Sequence, residues 1–88
     1  LIKKQFDCVT NDQLRRASFS IMLSIAEGSS RFSNRDRKNF LVIARGSAFE
    51  CFAILEYLFE MNEIEREIFN VFSKNLEEIS RMLFVLIC

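Results

Sequence analysis

The amino-acid sequence predicts an all-α fold: an up-down antiparallel four-helix bundle whose first helix is mostly missing or truncated in this sequence. Gly occurs twice and Pro is absent among 88 residues, so the strongest helix breakers are almost lacking. Apolar residues make up 50% of the chain and recur at steps of three and four, which is the period of a helix. The segments between the periodic stretches are short, and short loops between long helices make neighbouring helices antiparallel.

One helical-bundle domain is expected over residues 1–88, with helices at about 1–8, 12–27, 34–60 and 63–87. Residues 1–8 are typical of the last turns of a helix whose beginning lies outside the sequence. Thr10, Asn11 and Asp12 then offer side-chain oxygens that cap the start of the next helix. Gly28 is expected to end that helix in the left-handed conformation.

The start signals of the next two helices are N-cap residues. Ser33 with Asp36 three residues later resembles a capping box, and Asn62 with Glu65 repeats the pattern before the last helix. Gly46 lies in the middle of the 34–60 helix, where it costs up to ~1 kcal/mol relative to Ala. We expect the close approach of another helix to compensate for that cost.

Each complete helix carries one apolar seam that is expected to be buried. The first seam has Leu14, Ala17, Ile21 and Ile25, with Ser18 and Ala26 beside them. The second seam has Phe40, Ala44, Ser47, Cys51, Ile54 and Leu58, widened by Leu41, Ala48 and Leu55. The third seam has Ile64, Ile68, Val71 or Phe72, Ile79, Met82 or Leu83, and Leu86.

A second set of large apolar residues lies largely off these seams. Its members are Phe19, Met22, Leu23, Phe49, Phe52, Phe59, Phe69, Phe84 and Ile87. Three helices cannot bury all of them, and each exposed ring would cost ~1.5–3 kcal/mol relative to burial. The first eight of these residues are therefore the candidate interface of a homo-oligomer, beside any cover from the truncated first helix.

The net charge is zero, but residues 1–50 carry +4 and residues 51–88 carry −4. The candidate nucleic-acid-binding residues are Arg15, Arg16, Arg31, Arg35, Arg37, Lys38 and Arg45. Arg offers forked donors that match phosphate oxygens, so RNA or DNA is a possible partner. The alternative is a solvated surface or salt bridges to the acidic half. The aromatic residues fall on the apolar seams and are not expected to interleave with the cations as stacking platforms would.

Catalysis, metal binding and cofactor binding are not expected. The chain has no His, and its three Cys residues have no CxxC spacing, which favours buried free thiols in a reducing cytosol. Glu27 and Glu50, with Arg16 and Arg45, are interpreted as structural Arg–Glu pairs rather than an acid–base site. The longest apolar run, residues 82–88, is far below the ~20 residues of a membrane span, and neither a membrane nor a small-molecule substrate is expected.

Several short motifs resemble a known family. They are Gln13-Leu14-Arg15-Arg16-Ala17, then Ser20-Ile21 with Ile25-Ala26-Glu27-Gly28, then Arg31, and finally Ile43-Ala44-Arg45-Gly46-Ser47 with Glu50. Over residues 13–60 the chain resembles the four-helix-bundle proteins encoded in intervening sequences of bacterial 23S ribosomal RNA. It is also similar to the accessory variability protein of diversity-generating retroelements.

The resemblance implies a homo-oligomer, often a pentamer, without known catalytic activity, and nucleic-acid binding in the retroelement relatives. Glu27, Gly28, Arg45, Gly46, Ser47 and Glu50 are then the residues of the structural family motif. The leading hypothesis is a cytoplasmic, non-catalytic, oligomeric scaffold or interaction protein. The alternative is a nucleic-acid-binding accessory protein that uses the basic surface around Arg31 to Lys38.

Overall fold

A computed structural model describes the backbone of residues 8–87 and the side chains of residues 10–87. The described chain forms three helices, α1 (Cys8–Ser29), α2 (Asn34–Glu60) and α3 (Arg66–Ile87), and has no strand. The all-α prediction is confirmed, but the predicted four-helix bundle is wrong, since only three helices are present in this range. The predicted helix remnant at residues 1–8 lies, apart from Cys8, outside the described residues.

Helix α2 lies between α1 and α3. Ser20 Oγ lies 2.8 Å from Ser47 Oγ and Ser18 Oγ lies 3.7 Å from Cys51 Sγ, so α1 and α2 are antiparallel. Helices α2 and α3 are antiparallel as well, since Arg45 Nε donates to Ser80 Oγ over 3.2 Å near one end and the Phe59 and Phe69 rings stack near the other. No Cα atom of α1 comes within 8 Å of one in α3 in the part of the chain described. The molecule is accordingly flat, with extents of 44 × 22 × 15 Å and a radius of gyration of 14.1 Å. A compact chain of this length would have a radius of gyration of about 12 Å.

The start of α1 differs from the prediction. Thr10, Asn11 and Asp12 do not cap a helix but lie inside α1, which begins at Cys8. Thr10 is partly buried and stands seven and eleven residues before Ala17 and Ile21, on the side of α1 that packs on α2. Packing along this side overrides the capping preference of the three polar residues. The residues that were predicted to separate two helices are therefore part of α1.

Gly28 is a close-contact residue rather than a left-handed cap. No glycine has positive φ in the described chain, and α1 continues through Gly28 to Ser29. A Cβ atom on Gly28 would lie 3.1 Å from Phe40 Cβ and 3.5 Å from the Arg37 carbonyl oxygen. Gly28 therefore lets the end of α1 approach the start of α2.

The predicted cap of α2 is confirmed. Ser33 Oγ accepts hydrogen bonds from the backbone N–H groups of Arg35 at 3.1 Å and Asp36 at 3.3 Å. Gly46, by contrast, has no neighbour within 4 Å of a Cβ atom built on it. The close helix approach predicted there is thus not made within the described chain.

Asn62 ends α2 instead of starting α3. Its φ is 59°, and its N–H donates to the Phe59 carbonyl oxygen while the N–H of Glu63 donates to that of Leu58. These two bonds with a left-handed residue between them form a Schellman motif, which satisfies the last carbonyl groups of a helix. Helix α3 begins only at Arg66.

The core is small and follows the predicted seam of α2. Its buried apolar residues are Ala17, Ile21, Ala44, Ala48, Cys51, Leu55, Leu58, Ile64 and Leu83. On α1 the prediction was partly wrong, because Ser24 is buried at 7% exposure whereas Ile25 is 37% exposed. On α3 the exposed Val71 and Met82 leave Phe72 and Leu83 as the inward residues.

Candidate interaction surfaces

The outer face of α1, defined here as Phe19, Met22 and Leu23, is apolar and turned away from α2. These side chains are 57%, 64% and 50% exposed. The buried side of α1 carries Ala17 and Ile21, and residues two or five positions away point to the opposite side of a helix. Helix α1 thus has two apolar sides, of which the described chain covers one.

Some predicted interface aromatics pack inside the chain instead. Phe59 and Phe69 stack with ring centroids 4.6 Å apart, and Phe52 lies 6.2 Å from Phe69. Arg66 closes over the Phe59 ring at 5.5 Å. These three rings are partly buried, and they pack α3 against α2.

Arg45 lies in a groove of about 730 Å³ between α2 and α3. Its guanidinium stands 5.1 Å from the Phe49 ring centroid and 4.9 Å from that of Phe84, and its Nε donates to Ser80 Oγ. The two rings are about half exposed, and cation–π contacts of this kind stabilise a partly desolvated guanidinium. Arg45 therefore positions the two rings and links α2 to α3, away from the other predicted basic residues.

The basic turn, residues 30–38, comprises the connection between α1 and α2 together with the start of α2, and it holds four of the predicted cations. Arg31 forms an ion pair with Glu27 at 3.3 Å and lies 4.9 Å from the Phe40 ring centroid. Arg37 Nε donates to the Arg31 carbonyl oxygen over 2.7 Å. Arg35 and Lys38 are exposed and have no ion-pair partner among the described residues. Arg31 and Arg37 thus stabilise the turn, whereas Arg35 and Lys38 remain available to contact a ligand.

Phe32 was missed by the sequence interpretation. It is 100% exposed and lies in the basic turn, between Arg31 and Arg35. The expectation that no aromatic residue interleaves with the cations is therefore wrong at this turn. The sequence does indicate that Phe32 is exposed, because this residue falls between two helical stretches and belongs to no apolar seam.

The remaining basic candidates do not join this surface. Arg15 and Arg16 are exposed on α1, about 20 Å along the helix from the basic turn at 1.5 Å per residue. Arg16 and Glu50 line one shallow groove between α1 and α2 but form no ion pair within the described chain. The predicted pairing of Glu27 and Glu50 with Arg16 and Arg45 is therefore not formed there, since Glu27 pairs with Arg31.

Among the residues whose side chains the structure describes, one cysteine is the candidate nucleophile. Cys51 is a buried free thiol whose Sγ lies 3.7 Å from Ser18 Oγ. Burial raises the pKa of the Cys51 thiol; the Ser18 hydrogen bond lowers it and nearby Glu50 raises it further. Among residues 8–87 no group of His, Cys, Asp or Glu is placed to hold a metal ion, and no helix is long and apolar enough to cross a membrane.

Comparisons with known proteins identify relatives of the fold. The family model of the 23S rRNA-intervening sequence protein matches residues 2–85. A protein of unknown function of the S23 ribosomal protein family from Bacteroides thetaiotaomicron, solved by crystallography at 1.70 Å resolution, is 31% identical. The match covers 96% of this chain and 78% of that chain, with a TM-score of 0.92. No protein with a curated description matches. The chain therefore belongs to the 23S rRNA-intervening sequence protein family.

Proposed function

We propose that the protein is a non-catalytic scaffold that works as a homo-oligomer, in which the outer face of α1 packs against a second copy. The observation that carries this proposal is the exposure of Phe19, Met22 and Leu23, each at least half in solvent. A helix that is apolar on two opposite sides is typical of a position between two layers. The described chain supplies one of those layers, and the second copy supplies the other.

The surface area supports association. The accessible surface is 6473 Å². A folded monomer of 10.4 kDa is expected to expose about 5,400 Å². The excess of about 1,100 Å² follows from the flat shape, which leaves broad faces accessible to a neighbouring molecule.

The charge pattern favours a second copy as the partner. Zero net charge removes the long-range repulsion between copies that a strongly charged chain would have. The end formed by the basic turn is positive, whereas the end at the α2–α3 connection carries Glu60, Glu63, Glu65 and Glu67 against Arg66. Opposite ends of two copies therefore attract each other. The family resemblance implies five copies in the assembly.

The test is the molecular mass in solution, measured by light scattering after size-exclusion chromatography. The wild-type chain is expected at a multiple of 10.4 kDa, about 52 kDa for a pentamer. Replacing Phe19 and Met22 together by Ser should shift the mass toward one protomer while circular dichroism stays helical. Met61→Ser, at a 55% exposed residue beyond α2, is the matched control and should keep the wild-type mass. A monomeric wild-type chain at micromolar concentration contradicts the proposal.

A second candidate function is nucleic-acid binding through the basic turn, which the exposed Phe32 between cations favours. The turn carries Arg31, Arg35, Arg37 and Lys38 against Asp36, so phosphate contacts are expected there. The similarity to the accessory variability protein, which implies the same partner class, stays a prediction. Replacing Arg35 and Lys38 by Ala should weaken binding of both structured RNA and duplex DNA and flatten its salt dependence, as loss of phosphate contacts requires. Binding that is insensitive to salt and to both replacements contradicts this candidate.

A further inference from the structure

We propose that the basic turn binds unpaired nucleotides, with one base stacked on the ring of Phe32 and the flanking phosphates held by Arg35 and Lys38. This inference rests on the second candidate function and names the ligand that the turn prefers: single-stranded RNA or DNA, which gains a stacking contact that a duplex, bound through its phosphates alone, does not make. The ring of Phe32 is 100% exposed, so both of its faces are open to a base. A base inside a duplex is stacked on its neighbours, and only an unpaired base offers a free face to the ring.

The turn holds Phe32 in a fixed place. The N–H groups of Ser30 and Arg31 donate to the Glu27 and Gly28 carbonyl oxygens, both over 3.2 Å. On the other side of Phe32, Ser33 caps α2 through two backbone N–H groups. The side chain of Arg37 closes the loop through the Arg31 carbonyl oxygen. Phe32 is therefore presented on an ordered turn, and a ligand does not need to order the backbone on binding.

Phosphate contacts are available from two cations that follow Phe32 in the sequence. Arg35 and Lys38 stand three residues apart in α2 and therefore lie on one side of the helix, without an ion-pair partner in the described chain. Arg31, which directly precedes Phe32, is held in place by its ion pair with Glu27 and by its contact with the Phe40 ring. Asp36 is the only acidic residue between positions 28 and 49. The turn thus combines a stacking ring with cations, as single-strand-binding surfaces do.

A protein partner or a membrane fits the turn less well. Phe32 is alone: the neighbouring residues 30–31 and 33–39 are polar or charged, and the outer face of α1 lies further along the helix. Protein interfaces place their aromatic anchors in a cluster that excludes water, and a single ring with polar neighbours cannot form one. A single unpaired base, in contrast, needs only one aromatic ring on which to stack. Vesicles of anionic phospholipid are included in the test to separate a lipid phosphate from a nucleotide phosphate.

The experiment measures fluorescence anisotropy of a labelled oligouridine and of a duplex, each about ten nucleotides or base pairs long. Phe32→Ala should weaken oligouridine binding by about fivefold to 150-fold and leave duplex binding within about twofold. Phe32→Leu keeps an apolar side chain without a ring and should behave like Phe32→Ala, whereas Phe32→Tyr should bind like the wild type. Lys74→Ala, at an exposed cation of α3, is the matched charge control and should bind normally.

A direct readout is available because the chain contains no Trp. In Phe32→Trp, oligouridine should quench the fluorescence of the only indole, and the duplex should not. Two outcomes overturn the inference: Phe32→Leu with wild-type affinity for oligouridine, or Phe32-dependent binding to anionic vesicles without binding to oligouridine. If replacing Arg35 and Lys38 weakens both nucleic acids while Phe32→Ala changes neither, stacking fails and the second candidate function stands. If neither kind of replacement matters, both fail.

Discussion

Alanine should stabilise the chain at Gly46 and should not stabilise it at Gly28. Gly46 is in the interior of α2 and a Cβ atom there meets nothing within 4 Å, so Gly46→Ala gains helix propensity alone, about 0.8–1.0 kcal/mol. At Gly28 the new Cβ atom would lie 3.1 Å from Phe40 Cβ, which is fixed to the backbone of α2. The helices must move apart, and such overpacking costs about 1–3 kcal/mol. Because Gly28 is in the last turn of α1, its propensity gain is smaller than that of Gly46.

The assay is thermal unfolding followed by circular dichroism at one fixed protein concentration. For a domain of this size, 1 kcal/mol shifts the Tm by about 4–8 °C. Gly46→Ala should raise the Tm by about that amount, and Gly28→Ala should lower it or at best leave it unchanged. Each variant is the matched control of the other, since both replace a helical glycine by alanine. A Tm for Gly28→Ala above that of Gly46→Ala would refute the close approach of α1 and α2 at Gly28.

Three further substitutions test the core, the α2–α3 connection and the buried thiol. Leu58→Ala removes a side chain that is 1% exposed and should lower the free energy of unfolding in urea by about 2–5 kcal/mol; less than 1 kcal/mol would contradict its burial. Asn62 has a φ of 59°, so Asn62→Ala should be less stable than Asn62→Gly by about 1 kcal/mol, and the reverse order would exclude the left-handed cap. Burial raises the pKa of the Cys51 thiol, so with Cys8 and Cys88 replaced by Ser, iodoacetamide should react with the native chain at pH 8 far more slowly than with the chain in denaturant. Equal rates would show that the thiol is accessible.

The sequence predicts those features that depend on local periodicity. The seam of α2 from Ala44 to Leu58 is buried as expected except at Ile54, which is partly buried. Ser33 caps α2 because its hydroxyl group and the first free N–H groups are all neighbours in the chain. The polar residues Thr10 to Asp12 show the limit. They satisfy the capping pattern, but Thr10 is partly buried, and this packing keeps the three residues inside α1. A pattern of adjacent residues contains no information about such packing.

Features that depend on a distant residue were not predictable in the same way. The function of Gly28 is set by Phe40, which approaches across the helix pair, and the partners of Arg45 are rings on two helices. Asn is a residue type favoured at N-caps, but Asn62 ends α2 because the hydrogen bond from Glu63 to Leu58 completes a Schellman motif. Phe32 was overlooked because apolar residues were assigned to seams, and this one lies on a turn.

The central claim, that a second copy covers the outer face of α1, is tested most directly by a fluorescent probe placed on that face. Phe19→Trp introduces the only Trp of the chain at a residue that is 57% exposed in the single protomer. At micromolar concentration we predict weak quenching by acrylamide, together with a mass of several protomers, and stronger quenching on dilution as the copies separate. Quenching as strong as that of the unfolded chain at every concentration would contradict the account.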